Sequence, residues 1–483
     1  MSFYDDGRQV LTGLEAYYNE SVQKEKKVIR QQGIRTLHQE LDLAARLKAG
    51  DLTGENLDAF LKTYLNNTTR LHHPGFLAHQ VGVPHSTGAL GSLIDGFTNN
   101  AMSIYEMGPA AAAIEFFMVN VLLEKIGWVP MPTEIETRLA YPHGAGILTH
   151  GGSLANLTAL LAARNRLDST IRENGAPPDL VLLAPASSHY SIAKAAGIMG
   201  IGEKKVLPLA LDSHGRVRVS KLEPAFQAAA DQGRRIVALV ANACATGTGL
   251  YDPVGEIGDF CNEKGIWFHV DGAHGGAALF SRTRKKLLDG IHKADSMIID
   301  AHKMLRTPTV CAALLVKDAS ALDWTFQSKA EYLFHEKKNP GFDFLGQGME
   351  CTKAGLGLKF FMTLAALGEK KIEAYIDAVY DLALEAFDYI RVQPDFEVPV
   401  KPESNILCFR LRAVDNETQI RIRDRLIEEG SFYLSSTELG GVRYLRIVIM
   451  NPETNMDHIR DLIAAIRKMA AEGRSSWACA SCK

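Results

Sequence analysis

Short apolar runs alternate with helical segments along the chain from about residue 105 to residue 318. Apolar runs bounded by glycine and polar residues predict strands, and the longer periodic segments between them predict helices. The predicted strands are 145–149, 180–184, 206–209, 236–241, 266–270 and 296–299, and the predicted helices are 109–126, 154–167, 187–199 and 221–231. Such a dense alternation predicts an α/β fold with a mostly parallel sheet and helices on both faces.

The N-terminal part of the chain has a different pattern, with charged helical segments at 9–31, 35–48 and 55–66. These segments have no strand partner and cannot build a compact core by themselves. We therefore predict that residues 1–95 form a helical, dimer-forming arm that packs against a second subunit.

The C-terminal part begins with two long helical segments, 354–367 and 372–389, which precede a second α/β pattern. We predict a large domain at 96–370 and a smaller C-terminal α/β domain at 371–483. Residues 326–348 are polar, aromatic and punctuated by glycine, and a loop of this length inside a compact domain is usually functional. The predicted C-terminal strands are 405–411, 432–435 and 444–450.

Composition and charge exclude several classes of protein. The chain has 46% hydrophobic and 23% charged residues, and its net charge of −3 gives no reason to expect nucleic acid or an anionic membrane as partner. We expect neither a secretory signal nor a membrane span, because the most apolar region, 101–130, is interrupted by charges. Seven scattered cysteines predict free thiols in the reducing cytoplasm. No metal site is expected, because His72, His73 and His79 lack a cysteine or carboxylate cluster.

Two polar residues follow the ends of predicted strands, Asp271 after 266–270 and Lys303 after 296–299. Ligands of open parallel sheets collect beyond the carboxyl ends of the strands, so both side chains are expected at one edge. This pair suits pyridoxal phosphate, because the lysine would hold its aldehyde as a Schiff base and the carboxylate would keep its pyridine nitrogen protonated. Taken alone, a lysine after a strand is far more often a solvated surface residue than a Schiff base, and the aspartate could simply cap a turn.

The turn His150-Gly151-Gly152-Ser153 joins a predicted strand to a predicted helix. Glycines allow close approach of the backbone, and the helix N-terminus offers N–H groups to a phosphate, to which Ser153 could add a hydroxyl while capping the helix. An ordinary tight turn has the same composition. The residues match neither a nucleotide-binding loop nor a dinucleotide fingerprint, so a small phosphate-bearing cofactor fits better.

Four further residues are candidates for the same site. His189, at the start of a predicted helix, could stack on a planar cofactor, Thr246 could add a hydroxyl, and Ala273 is small enough to face a ring. A surface histidine, a turn threonine and a small loop residue are the simpler explanations. Arg446 interrupts an apolar run, which is costly unless the guanidinium is paired. It either lies exposed on an edge strand or is buried to hold a substrate carboxylate.

Together these residues resemble the group II pyridoxal-phosphate-dependent amino acid decarboxylases, the family of glutamate, cysteine-sulfinate and aromatic amino acid decarboxylases. The resemblance runs from about residue 71 to residue 451. It is most specific at LTHGGSLAN (148–156), at 188–200, and at HVDGA (269–273) followed by DAHK (300–303). It implies the type I fold of pyridoxal-phosphate-dependent transferases, in a homodimer with active sites at the subunit interface.

The resemblance also implies roles for individual residues. Lys303 would bind the cofactor covalently, Asp271 would pair with its pyridine nitrogen, and His189 would stack on its ring and take part in catalysis. The other cofactor contacts that it implies are Thr246 and His302 beside the ring, and Gly152 and Ser153 at the phosphate.

Substrate choice is implied by residues elsewhere in the chain. Tyr332 resembles the mobile-loop tyrosine that donates a proton to the substrate Cα after carbon dioxide leaves. Gln80 and Arg446 resemble residues that hold the substrate carboxylate in glutamate-type members, and YEMGP (105–109) resembles the glutamate and cysteine-sulfinate branch. We therefore expect decarboxylation of an acidic or small polar L-amino acid to its amine.

The chain also departs from the family pattern beside the cofactor. Ala301 replaces the common proline, Met304 follows the lysine, and Gly272 and His274 replace an alanine and an aromatic residue. These changes put the choice of substrate in doubt more than cofactor binding. The alternatives are an aldehyde synthase or amine oxidase, a decarboxylase of aromatic or diamino acids, an aminotransferase, and a non-enzymatic dimeric scaffold, which the intact Lys303 disfavours.

Overall fold

The structure, a computed structural model, describes residues 2–326 and 341–477, with side chains as far as residue 472. The chain divides into two compact units. The larger unit is Gln80–Ala378, and the smaller unit combines Met1–His79 with Val379–Lys483. The three-part division expected from the sequence stays a prediction.

Seven strands form the central sheet of the larger unit. They are β1 (Ala145–Thr149), β2 (Leu180–Pro185), β3 (Val206–Leu209), β4 (Arg235–Asn242), β5 (Phe268–Asp271), β6 (Ser296–Ile299) and β7 (Ala312–Val316). Their order is β1-β7-β6-β5-β4-β2-β3, in which β7 is antiparallel to both of its neighbours and the other pairs are parallel. The prediction of an α/β fold with a mostly parallel sheet is confirmed.

Helices occur in both units and make up most of the N-terminal part of the chain. Within the described residues they are α1 (Phe3–Val22), α2 (Ile34–Leu41), α3 (Leu43–Ala49), α4 (Gly54–Asn66), α5 (Ser86–Thr98), α6 (Pro109–Ile126), α7 (Ile135–Ala140), α8 (Gly152–Leu167), α9 (Ile171–Asn174), α10 (Ser191–Ile198), α11 (Leu222–Ala230), α12 (Val254–Lys264), α13 (Ser320–Phe326), α14 (Leu356–Arg391), α15 (Asn416–Glu429) and α16 (Met456–Trp477). The two helices expected at 354–367 and 372–389 are the two halves of α14, which Gly368 separates with non-helical torsion angles (φ 68°, ψ 162°).

The core that positions the site lies between the sheet and two helices. Leu160 of α8 and Ala196 of α10 pack against Leu182 of β2 and Val240 of β4, and all four side chains are fully buried. Complete burial of a leucine side chain contributes roughly 1.5–3 kcal/mol, so this cluster holds both helices firmly on the sheet.

A buried ion pair covers the open edge of β1. The backbone N–H of Leu148 donates to Glu115 Oε1 at 2.9 Å, and its carbonyl accepts from Lys353 Nζ at 2.5 Å. Lys353 Nζ also lies 2.9 Å from Glu115 Oε1, and the two side chains are 1% and 0% exposed. An edge strand leaves backbone groups without a partner strand. The pair takes the place of that strand just before the turn at Gly151.

The smaller unit contains an antiparallel sheet. Its strands are β8 (Phe396–Glu397), β9 (Ile406–Leu411), β10 (Ser435–Leu439) and β11 (Val442–Val448), in the order β10-β11-β9-β8. The strand expected at 432–435 begins only at Ser435, since Tyr433 instead forms an isolated parallel bridge with Phe76. Of the helices in the described ranges, none has both the length and the apolar character needed to cross a bilayer.

Candidate active site

Three neighbouring parallel strands end at the same edge of the larger sheet. β4 ends at Asn242, β5 at Asp271 and β6 at Ile299, and the register pairs Asn242 with Asp271. A cavity of about 210 Å³ lies at this edge. The residues that the sequence predicted for the cofactor and that line this cavity are Gly152, Ser153, His189, Thr246, Asp271, Ala273, His302 and Lys303.

Lys303 lies in a tight turn after β6 and is not a surface lysine. Its side chain is 19% exposed, and its Nζ lies 3.1 Å from Asp300 Oδ2. The N–H of Gly82 donates to the carbonyl of His302 at 3.2 Å, and a Cβ on Gly82 would meet the Lys303 carbonyl at 2.2 Å. The segment around Gly82 thus packs against this turn and holds the amine in the cavity, where it can bond to an aldehyde.

Asp271 is buried at the end of β5. Its Oδ1 accepts from the N–H of Ala273 at 3.2 Å, and its Oδ2 accepts from Asn156 Nδ2 at 3.0 Å. The first bond stabilises the turn after β5, and the second orients the carboxylate, so Asp271 has both of the functions that the sequence left open. The carboxylate has further acceptor capacity for a protonated ring nitrogen in the cavity.

His189 lies between β2 and α10 and is partly buried in the cavity wall. Its Nδ1 is 2.8 Å from Ser191 Oγ. Burial lowers the pKa of His189, and the nearby Asp271 opposes this effect only in part. The imidazole is therefore neutral at pH 7 and presents a flat face without a cation.

The turn before α8 is shaped for close approach. Gly151 has a φ of 105°, a conformation that favours glycine, and it is the N-cap of α8 with no side-chain hydrogen bond. Capping by Ser153 is therefore wrong, because Ser153 already lies inside the first turn. A Cβ on Gly152 would lie 2.8 Å from both carboxylate oxygens of Asp300, which leaves no room for a side chain. The N–H of Gly151 donates to the Thr149 carbonyl at 2.8 Å, so the N–H groups at the start of α8, those of Gly152 and Ser153, are the ones that this turn offers to an anion.

The two residues predicted to bind substrate have different positions. Gln80 lines the cavity of the larger unit. Arg446 belongs to β11 of the smaller unit, a central strand, and is 6% exposed, which excludes the exposed-edge explanation. Its Nη1 donates to Ser435 Oγ at 3.2 Å and to the Ala78 carbonyl at 3.3 Å. Tyr332 lies outside the described residues.

Further residues of the cavity wall were not predicted from the sequence. Asn156 lies one helical turn after Gly152, and its i, i+4 spacing from that glycine could have identified it. Asn242 and Asp300 follow strands in the same way as Asp271, so the strand-end rule could have found both. Nothing in the local pattern distinguishes Cys244 or His274. The residues concerned are Asn156, Asn242, Cys244, His274 and Asp300.

These groups fit pyridoxal phosphate. Lys303 offers the amine for its aldehyde, and Asp271 offers a buried carboxylate for its ring nitrogen. The uncapped N-terminus of α8, a helix of 16 residues, offers N–H groups and the positive end of a dipole to its phosphate.

Comparison with known proteins agrees with a pyridoxal phosphate site. A model of the pyridoxal-dependent decarboxylase conserved domain matches residues 41–412. The acidic amino acid decarboxylase GADL1 of Mus musculus is 30% identical over 467 residues, which cover 91% of this chain and 82% of that protein. The L-2,4-diaminobutyrate decarboxylase of Acinetobacter baumannii is 26% identical and covers 87% of this chain and 84% of its own. The crystal structure of mouse CSAD matches with a TM-score of 0.86 at 25% identity, covering 97% of this chain and 99% of that one.

Proposed function

This chain belongs to the pyridoxal-dependent decarboxylase family, and we propose that its substrate is an acidic or small polar L-amino acid of the glutamate, aspartate or cysteine-sulfinate type. The products are then the corresponding amine and carbon dioxide. The observation that carries this proposal is Gln80, whose amide lines the same cavity as Lys303. Apart from Ala273 and Cys244, the lining side chains are polar or the residue is glycine. An amide donor in a polar cavity suits a substrate with an acidic side chain.

We assign the cofactor contacts to the residues at the sheet edge. Bound pyridoxal phosphate supplies an electron sink for the electrons that the departing carboxylate leaves behind. Lys303 would hold it covalently, Asp271 would accept a hydrogen bond from its ring nitrogen, and His189 would pack on the ring beside Thr246. The first turn of α8, with Ser153, binds its phosphate. This division of labour is a proposal that rests on the geometry above and on the family resemblance.

The substrate contacts follow from the resemblance. Gln80 donates a hydrogen bond to the side-chain acid group, and Arg446 holds a carboxylate through its planar fork. Tyr332 donates a proton to the substrate Cα after carbon dioxide has left, which completes formation of the amine.

A panel of amino acids tests the reaction and the substrate together. Carbon dioxide release and the identity of the amine are measured with glutamate, aspartate, cysteine sulfinate, 2,4-diaminobutyrate and tryptophan. The proposal expects the highest kcat/KM with one of the three acidic substrates. A preference for tryptophan would refute it. The Lys303→Ala variant should lose activity.

Two variant pairs test the substrate contacts. Arg446→Gln and Gln80→Leu should raise KM for the acidic substrate roughly tenfold or more, because each removes a hydrogen bond to a charged group. The controls are Arg443→Gln, on the same strand as Arg446 but paired with Glu438, and Gln232→Leu at an exposed position. Equal KM values in a variant and its control would refute the role of that residue.

A diamino acid is the second candidate substrate. Asp300 lines the cavity, and its Oδ1 makes no hydrogen bond within the described part of the chain. A buried carboxylate favours a cationic side chain, and one relative is named as a diaminobutyrate decarboxylase. The panel decides between the candidates. For a diamino acid substrate, Asp300→Asn should lower kcat/KM more than it does for an acidic substrate; both decrease, because Asp300 Oδ2 also lies 3.1 Å from Lys303 Nζ.

We also propose that the protein is a homodimer. α1 exposes large apolar side chains, among them Tyr4, Leu11 and Leu14. A second copy that covers this face would remove the apolar area from water. Sedimentation equilibrium should give a dimer for the wild type and a shift toward monomer for the Leu11→Glu/Leu14→Glu variant. A monomeric wild type at micromolar concentration would refute the proposal.

A further inference from the structure

A continuous chain of buried hydrogen bonds lies behind Asp271. Trp267 Nε1 is 2.8 Å from Ser296 Oγ, which is 2.8 Å from His269 Nδ1. His269 Nε2 is 2.9 Å from Asn156 Oδ1, and Asn156 Nδ2 is 3.0 Å from Asp271 Oδ2. Ser296 and His269 are 0% exposed and Asn156 is 1% exposed, so water does not compete for these bonds.

Secondary structure accounts for the geometry of this chain. Trp267, His269 and Asp271 alternate along β5 and its N-terminal extension, so their side chains share one face of the sheet. The β5–β6 register pairs His269 with Ser296. α8 packs on this face and brings Asn156 to it.

Trp267 and Asp271, at the two ends of this series of hydrogen bonds, constrain the direction of the bonds between them. The indole of Trp267 can only donate, so Ser296 Oγ accepts there. The carboxylate of Asp271 can only accept, so Nδ2 of Asn156 faces it and Oδ1 faces His269. His269 must therefore carry its hydrogen on Nε2, and the Ser296 hydroxyl donates to the bare Nδ1. Burial lowers the pKa of His269 to about 4, which agrees with a neutral ring.

A branch from the same amide reaches His189. Asn156 Nδ2 donates to Ser191 Oγ at 2.9 Å, and Ser191 Oγ is 2.8 Å from His189 Nδ1. The backbone N–H of Ser191 donates to His189 Nδ1 at 3.3 Å, so this nitrogen accepts and the hydrogen of the neutral His189 is on Nε2. One amide therefore orients two groups of the cavity wall.

We propose that His269 is a positioning residue that, through Asn156, orients the Asp271 carboxylate for the cofactor nitrogen. In the reverse orientation of the amide, Asn156 Oδ1 would face Asp271 Oδ2 and bring two acceptors into contact. The Nε2–H of His269 donates to Asn156 Oδ1 and so stabilises the orientation in which Nδ2 faces Asp271, whereas the reverse orientation would also bring two donors into contact. The inference rests on the assignment of Asp271 to the ring nitrogen in the proposed function.

Binding of pyridoxal phosphate to the cofactor-free protein tests the role of Asn156. Asn156→Asp replaces a donor with a second carboxyl group, and we expect the dissociation constant to rise roughly 10- to 100-fold. The matched control is Asn165→Asp, a buried asparagine on the same helix whose substitution keeps the acceptor that Arg164 uses. It should bind the cofactor as the wild type does. Equal affinities for the two variants would overturn the proposal.

Two substitutions of His269 separate positioning from a merely structural role. His269→Leu removes the donor, whereas His269→Gln can supply an N–H near the position of Nε2. We expect His269→Gln to bind the cofactor more tightly than His269→Leu, although both lower the thermal unfolding temperature of the cofactor-free protein. If His269→Gln and His269→Leu bind the cofactor with equal affinity and lose the same stability, the role of His269 is structural alone and the inference is refuted.

The tautomer can be measured without any turnover. In ¹⁵N-histidine-labelled, cofactor-free protein at about pH 7, His269 should have a protonated Nε2 and a bare Nδ1. Its signal is identified by its loss in His269→Gln. A hydrogen on Nδ1 would overturn the inference. Asp271→Ala distinguishes failure of the proposed function from failure of this inference. Unchanged cofactor affinity in Asp271→Ala would refute the assignment of Asp271 to the ring nitrogen. A loss of cofactor affinity in Asp271→Ala but not in Asn156→Asp would refute only the positioning role.

Discussion

Replacing Lys353 with methionine removes the cation from the buried pair at the edge of β1. The variant leaves Glu115, which is 0% exposed, without its counter-ion, and it leaves the carbonyl of Leu148 without its donor. Removal of one partner of a buried ion pair costs roughly 3–5 kcal/mol, because the remaining charge is uncompensated. We expect the free energy of unfolding of Lys353→Met to fall by about that amount.

The cost should depend on pH in a defined direction. Burial raises the pKa of Glu115 above its ordinary value even though Lys353 opposes the shift. Without Lys353 the pKa of Glu115 rises further. At pH values between the ordinary pKa of a glutamate and this raised pKa, Glu115 of the folded variant holds a proton that the unfolded chain has lost. Stability then falls as pH rises, and the deficit of the variant is larger at about pH 8 than at about pH 5.

Guanidinium unfolding of the cofactor-free protein at both pH values measures the effect. The control is Lys125→Met on α6, the helix that carries Glu115, where Lys125 Nζ lies 3.0 Å from the exposed Glu369. Exposed pairs contribute roughly 0–1 kcal/mol. The double variant Glu115→Gln/Lys353→Met should lose less than Lys353→Met, because it removes both charges and keeps an acceptor for Leu148. A Lys353→Met deficit that equals the control, or that does not change with pH, would refute the reasoning.

Three further substitutions have defined outcomes. Gly152→Ala should weaken pyridoxal phosphate binding roughly tenfold in a fluorescence titration, because its Cβ would press on the Asp300 carboxylate, whereas Gly96→Ala, with nothing within 4 Å, should bind normally. Burial lowers the pKa of His73 from 6.5 to about 4, so its contribution to stability is present above 6.5 and lost as the pH falls; thermal unfolding of His73→Asn should show a weaker decline toward acid than the wild type. Tyr332→Phe should lose amine formation and shift the product toward aldehyde, and unchanged amine turnover would contradict the proton-donor role.

Much of the fold was predictable because buried parallel strands are continuous apolar runs. The bounds of β1, β3 and β6 agree with the predicted strands at both ends. α5 was missed, since its glycines obscure a helical pattern. The structure explains one of them, because a Cβ on Gly91 would lie 2.8 Å from the backbone of Lys359 in α14. That requirement comes from the packing of two helices that are distant in the chain, so local periodicity does not contain it.

The site was predictable to the extent that it follows from strand ends. Asp271 and Lys303 were found because each comes directly after an apolar run. Asn156 and His269 lie within specific motifs, but the sequence does not predict a role for them, since the role of each depends on the other and on Ser296. The sequence does not decide whether Arg446 is exposed or buried, because its apolar run does not reveal which strands flank it.

Residue types and their periodicity thus settle which segments are strands, which groups follow them and which cofactor chemistry they suit, since these properties are local. They do not settle how Asn156 is oriented, which nitrogen of His269 holds the hydrogen, or that Lys353 and Glu115 close the edge of β1. Each of these depends on donors, acceptors and charges that folding brings together from distant parts of the chain and removes from water. Their energies arise only from that proximity and burial.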